Sequence, residues 1–362
     1  MTAFFFNYFY VYSIFAYIIM VMKYFCTLFI FLFFSSGFIF SQDVHFSMMK
    51  FSPLTVNPSL AGLQGKYNTN VNFRSQWNSV ADPFTTMGAS FDTHFFGNHD
   101  KGFLAAGVNF FYDIAGNMKM TTSNANLSLA YHIRMNNTNT IGLGLQGGYA
   151  SRGLRSGNGM FASQYDGTGF NTAISSGESF IGTNNNFFDT GAGIVYSHDS
   201  YDETSFSSRG FKLLIGFSTY HLTKPNYSYL QGGKDDLNMR FVGFAESEFM
   251  LGKSNWGLMP AVYYQRQGNF QEIYVGTYIK YNIVNSTRIT SFRDRLYIAY
   301  GPFYRFGDAF VNKLLIDYKG FALGFAYDIN LSSLTTASKG RGGFEIMFRY
   351  VLTESAERPR IN

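Results

Sequence analysis

The chain has little of several things, and each shortage removes an explanation. One cysteine is present among 362 residues, Cys26. It lies in an apolar stretch near the start, so neither a disulfide framework nor a cysteine metal site can form. Lys23-Tyr24-Phe25 before it does not resemble a lipobox, so lipid attachment there is not predicted. Charged residues make up 14% of the chain, against about 25% in ordinary soluble domains. The formal charge of +5 is mild and unclustered, so no nucleic-acid partner is predicted. Mean hydropathy is nonetheless close to zero, which excludes a polytopic bundle of apolar helices.

Catalytic signatures are lacking too. No GxSxG, HExxH or Walker sequence occurs. His45, His94, His99, His132, His198 and His221 never fall at metal-ligand spacing. His198-Asp199-Ser200 are adjacent in sequence, which is the mark of a turn and not of a triad. Gly142-Leu143-Gly144-Leu145-Gln146-Gly147 matches a dinucleotide fingerprint by spelling. That fingerprint must follow a strand and open a helix. Here the glycines alternate with Ile141, Leu143 and Leu145 inside a strand, and all are read as inward residues that save space. No catalytic, cofactor-binding or metal site is predicted, and the chain is not read as an enzyme.

What the chain has in abundance is aromatic residues, 19% of the total with 42 Phe and 26 Tyr, and 37 Gly. They are arranged in alternation. Leu127, Leu129, Tyr131 and Ile133 alternate with Asn126, Ser128, Ala130 and His132. Phe321, Leu323, Phe325, Tyr327 and Ile329 alternate with Ala322, Gly324, Ala326, Asp328 and Asn330. Side chains on a strand point to opposite faces with period two. One face is therefore greasy and aromatic, the other small or polar. This is the pattern of a transmembrane antiparallel β-barrel with a polar lumen.

About fourteen strands are predicted, centred on 67–74, 85–95, 102–112, 122–133, 140–150, 187–198, 210–222, 239–250, 256–267, 271–283, 293–306, 312–319, 320–329 and 343–352. Most have the roughly 9–11 residues needed to cross the hydrocarbon at a tilt. With the chain start in the periplasm, the longest connections, 151–186, 223–238 and 330–341, fall outside, and most periplasmic turns are short. The connections 199–209 and 284–292 are longer than that rule expects.

Four segments follow. Residues 1–41 are a prefix plus a Sec signal peptide: Lys23 begins the basic region, 24–40 the apolar region, and Ser35, Ser36, Gly37 and Ser41 are small residues suited to cleavage. Cleavage near Ser41 leaves Gln42 first. The apolar residues 1–21 are explained by a true start at Met22; the competing reading is a pair of inner-membrane helices. Residues 42–66 form a short periplasmic or plug segment, 67–352 the outer-membrane barrel, and 353–362 a polar tail. Within 42–66, Asn57-Pro58-Ser59-Leu60-Ala61-Gly62 reads as one capped helical turn, with Asn57 as N-cap, Pro58 in first position and Gly62 just past the end. Asn57, Pro58 and Gly62 are accordingly candidates for docking a partner at the periplasmic mouth, or for plugging the lumen. Face parity turns Arg74, Asp92, Arg305, Asp328, Glu345 and Arg349 inward. Buried charges must pair, so these six are predicted to form a lumen ion network, with Arg74 paired to Glu345 or Asp328. A conducting charged constriction is the alternative.

These residues also resemble a family. Gln42-Asp43-Val44-His45-Phe46-Ser47, Asn57 to Gly62, Phe73-Arg74-Ser75-Gln76-Trp77 and Asp82-Pro83-Phe84-Thr85 resemble the opening of the PorP/SprF proteins of type IX secretion. The closing stretch is similar as well: Tyr304-Arg305 within 301–306, Asp308-Ala309, Tyr327-Asp328 within 324–329, Ser333-Leu334 and Gly343-Phe344-Glu345. The family often has Pro where Val44 stands, and His where Gly343 or Phe344 stands. The resemblance implies a non-enzymatic outer-membrane protein, as in gliding motility systems. Its implied partners are outer-membrane lipid, a large adhesin-like client with a C-terminal secretion domain, and periplasmic ring or linker proteins. The alternative is a general diffusion channel, with Tyr165, Phe170, Phe180 and Phe187 in a constriction loop.

Overall fold

The computed structural model describes residues 43–79, 82–95, 101–154, 161–175, 177, 184–200, 210–228, 233–252, 254–284, 296–333 and 335–352. The readings made for 1–42, Cys26 among them, for Phe180 and for the tail 353–362 lie outside these residues. Fourteen strands form one closed antiparallel sheet. They are β1 Tyr67–Gln76, β2 Phe84–Phe95, β3 Gly102–Ala115, β4 Met120–Arg134, β5 Asn139–Leu154, β6 Asn184–Asp199 and β7 Phe211–Tyr220, then β8 Arg240–Met250, β9 Trp256–Gln267, β10 Phe270–Val284, β11 Leu296–Arg305, β12 Ala309–Tyr318, β13 Phe321–Asn330 and β14 Arg341–Leu352. Each strand pairs with its neighbours in sequence, and β1 pairs with β14 from Tyr67↔Leu352 to Gln76↔Gly343. Lys66 N extends the seam by donating to Leu352 O at 2.8 Å. Closure leaves no strand edge, which is what a spanning sheet requires where water cannot satisfy its amides.

The seam defines two ends. The near end holds Tyr67 and Leu352, where β1 begins and β14 finishes. The far end carries the odd-to-even connections, including 155–183 between β5 and β6 and 221–239 between β7 and β8. The outward face is greasy: Phe91, Phe110, Leu129, Tyr131, Leu143, Leu145, Phe217, Leu314, Phe325 and Tyr327 are all exposed. Such a surface is stable against hydrocarbon and not against water.

Two features depart from expectation. Strand β5 runs four residues past its predicted end, because Ser151, Arg152, Gly153 and Leu154 still pair with Ser123, Thr122, Thr121 and Met120. Ladder pairing needs no apolar alternation, so the polar end of a strand is invisible to a periodicity reading. The lumen is also not polar throughout. On the β7–β12 side, Tyr220, Phe244, Met259, Tyr263, Tyr274, Tyr278, Phe303 and Leu315 point in and join one apolar cluster. There both faces are apolar, and the alternation that reveals which one is inward is lost.

Candidate functional site

The lumen is occupied by the chain itself. Residues 43–66 run through it in three short helical turns, Met49–Phe51, Pro53–Val56 and Pro58–Leu60. Pro53 and Pro58 each stand at the start of a turn, where a missing N–H costs nothing. Met48, Met49, Phe51, Val56 and Leu60 pack into the apolar side of the lumen, while Leu54 and Ala61 pack on Ala105 and Ala130 of β3 and β4.

Asn57 is fully buried. Its Oδ1 accepts from Ser59 N at 2.9 Å and Ser59 Oγ at 2.7 Å, capping the Pro58–Leu60 turn. Its Nδ2 donates outward to the wall, to Ile194 O at 3.0 Å and Phe217 O at 3.2 Å. One side chain thus ends a turn and fastens it to β6 and β7. Gly62 follows with φ +68°, a left-handed conformation natural to glycine. Its N–H donates to Asp92 at 2.8 Å, and Asp92 also accepts from Asn68 at 2.9 Å.

The inward glycines are explained by this segment. A Cβ on Gly107 would stand 2.7 Å from Leu54, one on Gly88 2.7 Å from Phe46, and one on Gly324 2.5 Å from Met48. Gly144 backs directly onto Pro58 and Ser59, and Gly193 onto Asn57. Within the Gly142–Gly147 motif, Gly142 and Gly144 face inward as read, but Gly147 does not: a Cβ there meets nothing within 4 Å. Odd and even residues of β5 face opposite ways.

Around Ser47 the predicted charges converge. Arg74 Nη2 meets Asp328 at 3.0 Å and Arg305 Nη1 meets it at 3.3 Å. Ser47 Oγ donates to Asp328 at 2.9 Å and accepts from Arg305 Nη2 at 2.9 Å. Arg74 and Glu345 are register partners across the seam, yet the Glu345 carboxylate turns to the segment. It accepts from Ser47 N at 2.6 Å, Met48 N at 3.2 Å and Asn72 at 3.2 Å. Arg74 Nη1 donates to His45 O, and Tyr274 OH donates to Ser47 O at 3.0 Å. Arg305 also pairs with Asp308 at 2.8 Å and approaches Glu272 at 3.4 Å. His45 lies 3.2 Å from Glu272.

Three of the six predicted network residues, Arg74, Arg305 and Asp328, therefore meet, and Glu345 joins them only through Ser47. Asp92 sits apart near the near end on Gly62. Arg349 pairs instead with Asp317 at 2.7 Å and covers the Phe51 ring at 5.0 Å. Ser47, Glu272, Asp308 and Asp317 were not identified as site residues. Ser47 and Asp308 lie in stretches singled out above, and Glu272 and Asp317 share the inward parity of their strands.

A second cluster was missed altogether. Asp43 lies at the far end, where its Oδ2 meets His221 Nε2 at 2.6 Å. His221 Nδ1 meets Asp189 at 2.8 Å. Gln267 exchanges two bonds with Asp43, at 2.9 and 3.1 Å, and Arg240 Nε lies 3.6 Å from its carboxylate. Burial alone would lower the His221 pKa. The Asp43 charge, with the hydrogen bonds that the ring donates to Asp189 and Asp43, raises it to about 9. Histidine lying between two carboxylates is stable as the cation, with both ring nitrogens donating.

The segment's hydrogen bonds thus reach β1, β2, β4 to β11, β13 and β14. This is an outer-membrane β-barrel with its lumen filled by its own N-terminal segment. The model of the family described as "Type IX secretion system membrane protein PorP/SprF" matches residues 39–350. The chain belongs to that family. No curated protein matches it. Among solved structures it is similar to the toluene transporter TbuX of Ralstonia pickettii, at 9% identity and a TM-score of 0.44 over 83% of this chain and 92% of that one. It is also similar to BamA of Haemophilus ducreyi lacking POTRA domains 1–3, at 10% identity and a TM-score of 0.38 over 79% and 70%.

Proposed function

We propose that this barrel is a non-catalytic accessory of type IX secretion that holds a large adhesin-like client for export or surface attachment. The observation that carries this reading is the filled lumen. A segment bonded around the wall and packed into its apolar side leaves little room for solute flow, so the working surfaces are the two ends. The diffusion-channel alternative loses its support for the same reason, and Tyr165 and Phe170 of its supposed constriction loop are more than half exposed. The near end is read as periplasmic, facing ring or linker proteins, and the far end as external, facing the client. Export by a Sec signal within residues 1–41 belongs to the same reading.

The test is a tagged chain purified in mild detergent from cells that make it at native level. The expected result is co-purification of one very large secreted protein, and loss of that protein from the cell surface when the barrel gene is deleted. Unchanged surface display in the deletion strain would overturn the proposal.

A further inference from the structure

Residues 42–66 are read from the sequence as a periplasmic lead-in or a lumen plug, without a course through the barrel. The structure gives the segment a course. Its end at Gly62 meets Asp92, His94 and Ala105, residues at the near end of β2 and β3. Its middle, at Asn57, meets the wall halfway along β6 and β7. Its beginning, at Asp43, meets His221 just past the end of β7, Asp189 near the start of β6 and Gln267 at the last position of β9. All three lie at the far end. The segment therefore crosses the barrel from mouth to mouth.

We infer that residues 43–66 are a fifteenth crossing, so that the start of the mature chain and the end of β14 stand on opposite faces of the membrane. Fourteen antiparallel strands bring the chain back to the face where β1 began. The threading segment adds one passage and makes the total odd. Asp43 is then an anchored exit point on the face that carries the long 155–183 and 221–239 connections. A chain processed to begin near Gln42 presents its first residues there, beside the loops. A partner that grips those residues is joined covalently, through the lumen, to β1 at the other face.

The anchor is built for this. His221 has φ +59°, a conformation uncommon for a residue with a side chain. That turn aims both ring nitrogens at carboxylates, one from the segment and one from the wall. Arg74 on His45 O and Glu345 on Ser47 N hold the segment two and four residues further on.

The inference rests on the chain being processed near Ser41, and its test separates topology from orientation. A short epitope is inserted before Asp43 in the full-length protein. Matching epitopes are placed at Ala173 in the far-end β5–β6 connection and at Asn137 in the near-end β4–β5 turn. Antibody binding is compared on intact cells and after the outer membrane is breached, with heat-modifiability on gels as the check of folding. The expected result is that the epitope before Asp43 behaves as the one at Ala173 does and opposite to the one at Asn137. Grouping with Asn137 overturns the inference. If Ala173 is hidden and Asn137 exposed on intact cells, the external assignment of the far end fails, while the inference stands or falls on the same grouping. If the insertion before Asp43 prevents folding, Val44→Cys in a Cys26→Ser background is compared with Ala173→Cys and Asn137→Cys using an impermeant maleimide. The same grouping then decides.

Discussion

A single hydroxyl at Ser47 shows how finely individual residues hold this lumen: it donates to Asp328 and accepts from Arg305 while its backbone N–H serves Glu345. Removing one charge from such a cluster leaves its partner buried and unmatched. Arg74 is 2% exposed, and Arg74→Ala is expected to lower barrel stability by about 3 kcal/mol. Thermal loss of the heat-modified gel form measures it, and a melting temperature equal to wild type would contradict it. The glycines allow a cleaner comparison. Gly144→Ala drives a methyl into the backbone of Pro58 and Ser59, and overpacking of this kind costs about 2 kcal/mol. Gly147→Ala, three residues along the same strand, places its methyl in open space and is expected to change stability by no more than about 0.5 kcal/mol. Equal effects at the two positions would mean that the segment does not press on β5.

At the scale of the element, the lumen segment is held by caps and clasps along its length. Asn57 and Pro58 are buried inside the barrel, so Asn57-Pro58→Gly-Gly acts first on the barrel itself. It removes a cap and two bonds to the wall and is expected to cost about 2 kcal/mol, read as a lower unfolding temperature of the assembled protein. The far-end clasp titrates. The His221 pKa rises on folding to about 9 from an ordinary value of about 6.5. Its stabilisation is therefore complete below the ordinary value and lost as pH rises through 9. The groups facing this site are Asp43, Asp189 and Arg240. Protease cleavage just after an epitope placed before Asp43 is expected to quicken between pH 7 and pH 10, and His221→Gln is expected to flatten that rise. A wild-type rate independent of pH over this range would remove His221 as the titrating hold.

For the whole molecule, the lengths of the connections set the orientation in the membrane. The far end has the longest connection, and Gly167 lies in it, φ +98° and exposed. A protease site inserted near Gly167 is expected to be cut on intact cells. Cutting only after the outer membrane is opened would reverse the orientation and move the proposed client to the other face.

The membrane explains why so much was legible beforehand. Hydrocarbon demands an apolar outer face on every strand, so alternations such as Phe321 to Ile329 show strand, face and crossing length in the sequence alone. The Asn57–Pro58–Gly62 turn was legible because its cap, its first position and its end are local. The inward parity of Arg74, Asp328 and Glu345 followed from period two. The residues alone thus reveal whatever neighbours within one strand or turn, and the surrounding lipid, dictate. The rest follows from closure of the barrel. The course of residues 43–66 depends on which inward side chains face each other across a closed lumen. Asp43 and His221 are 178 residues apart, and no local signal joins them. Glu345 lies opposite Arg74 in register, but it bonds the amides of Ser47 and Met48 because the threaded segment delivers those donors to it. Closure brings distant residues together, and the filled lumen selects which of them pair.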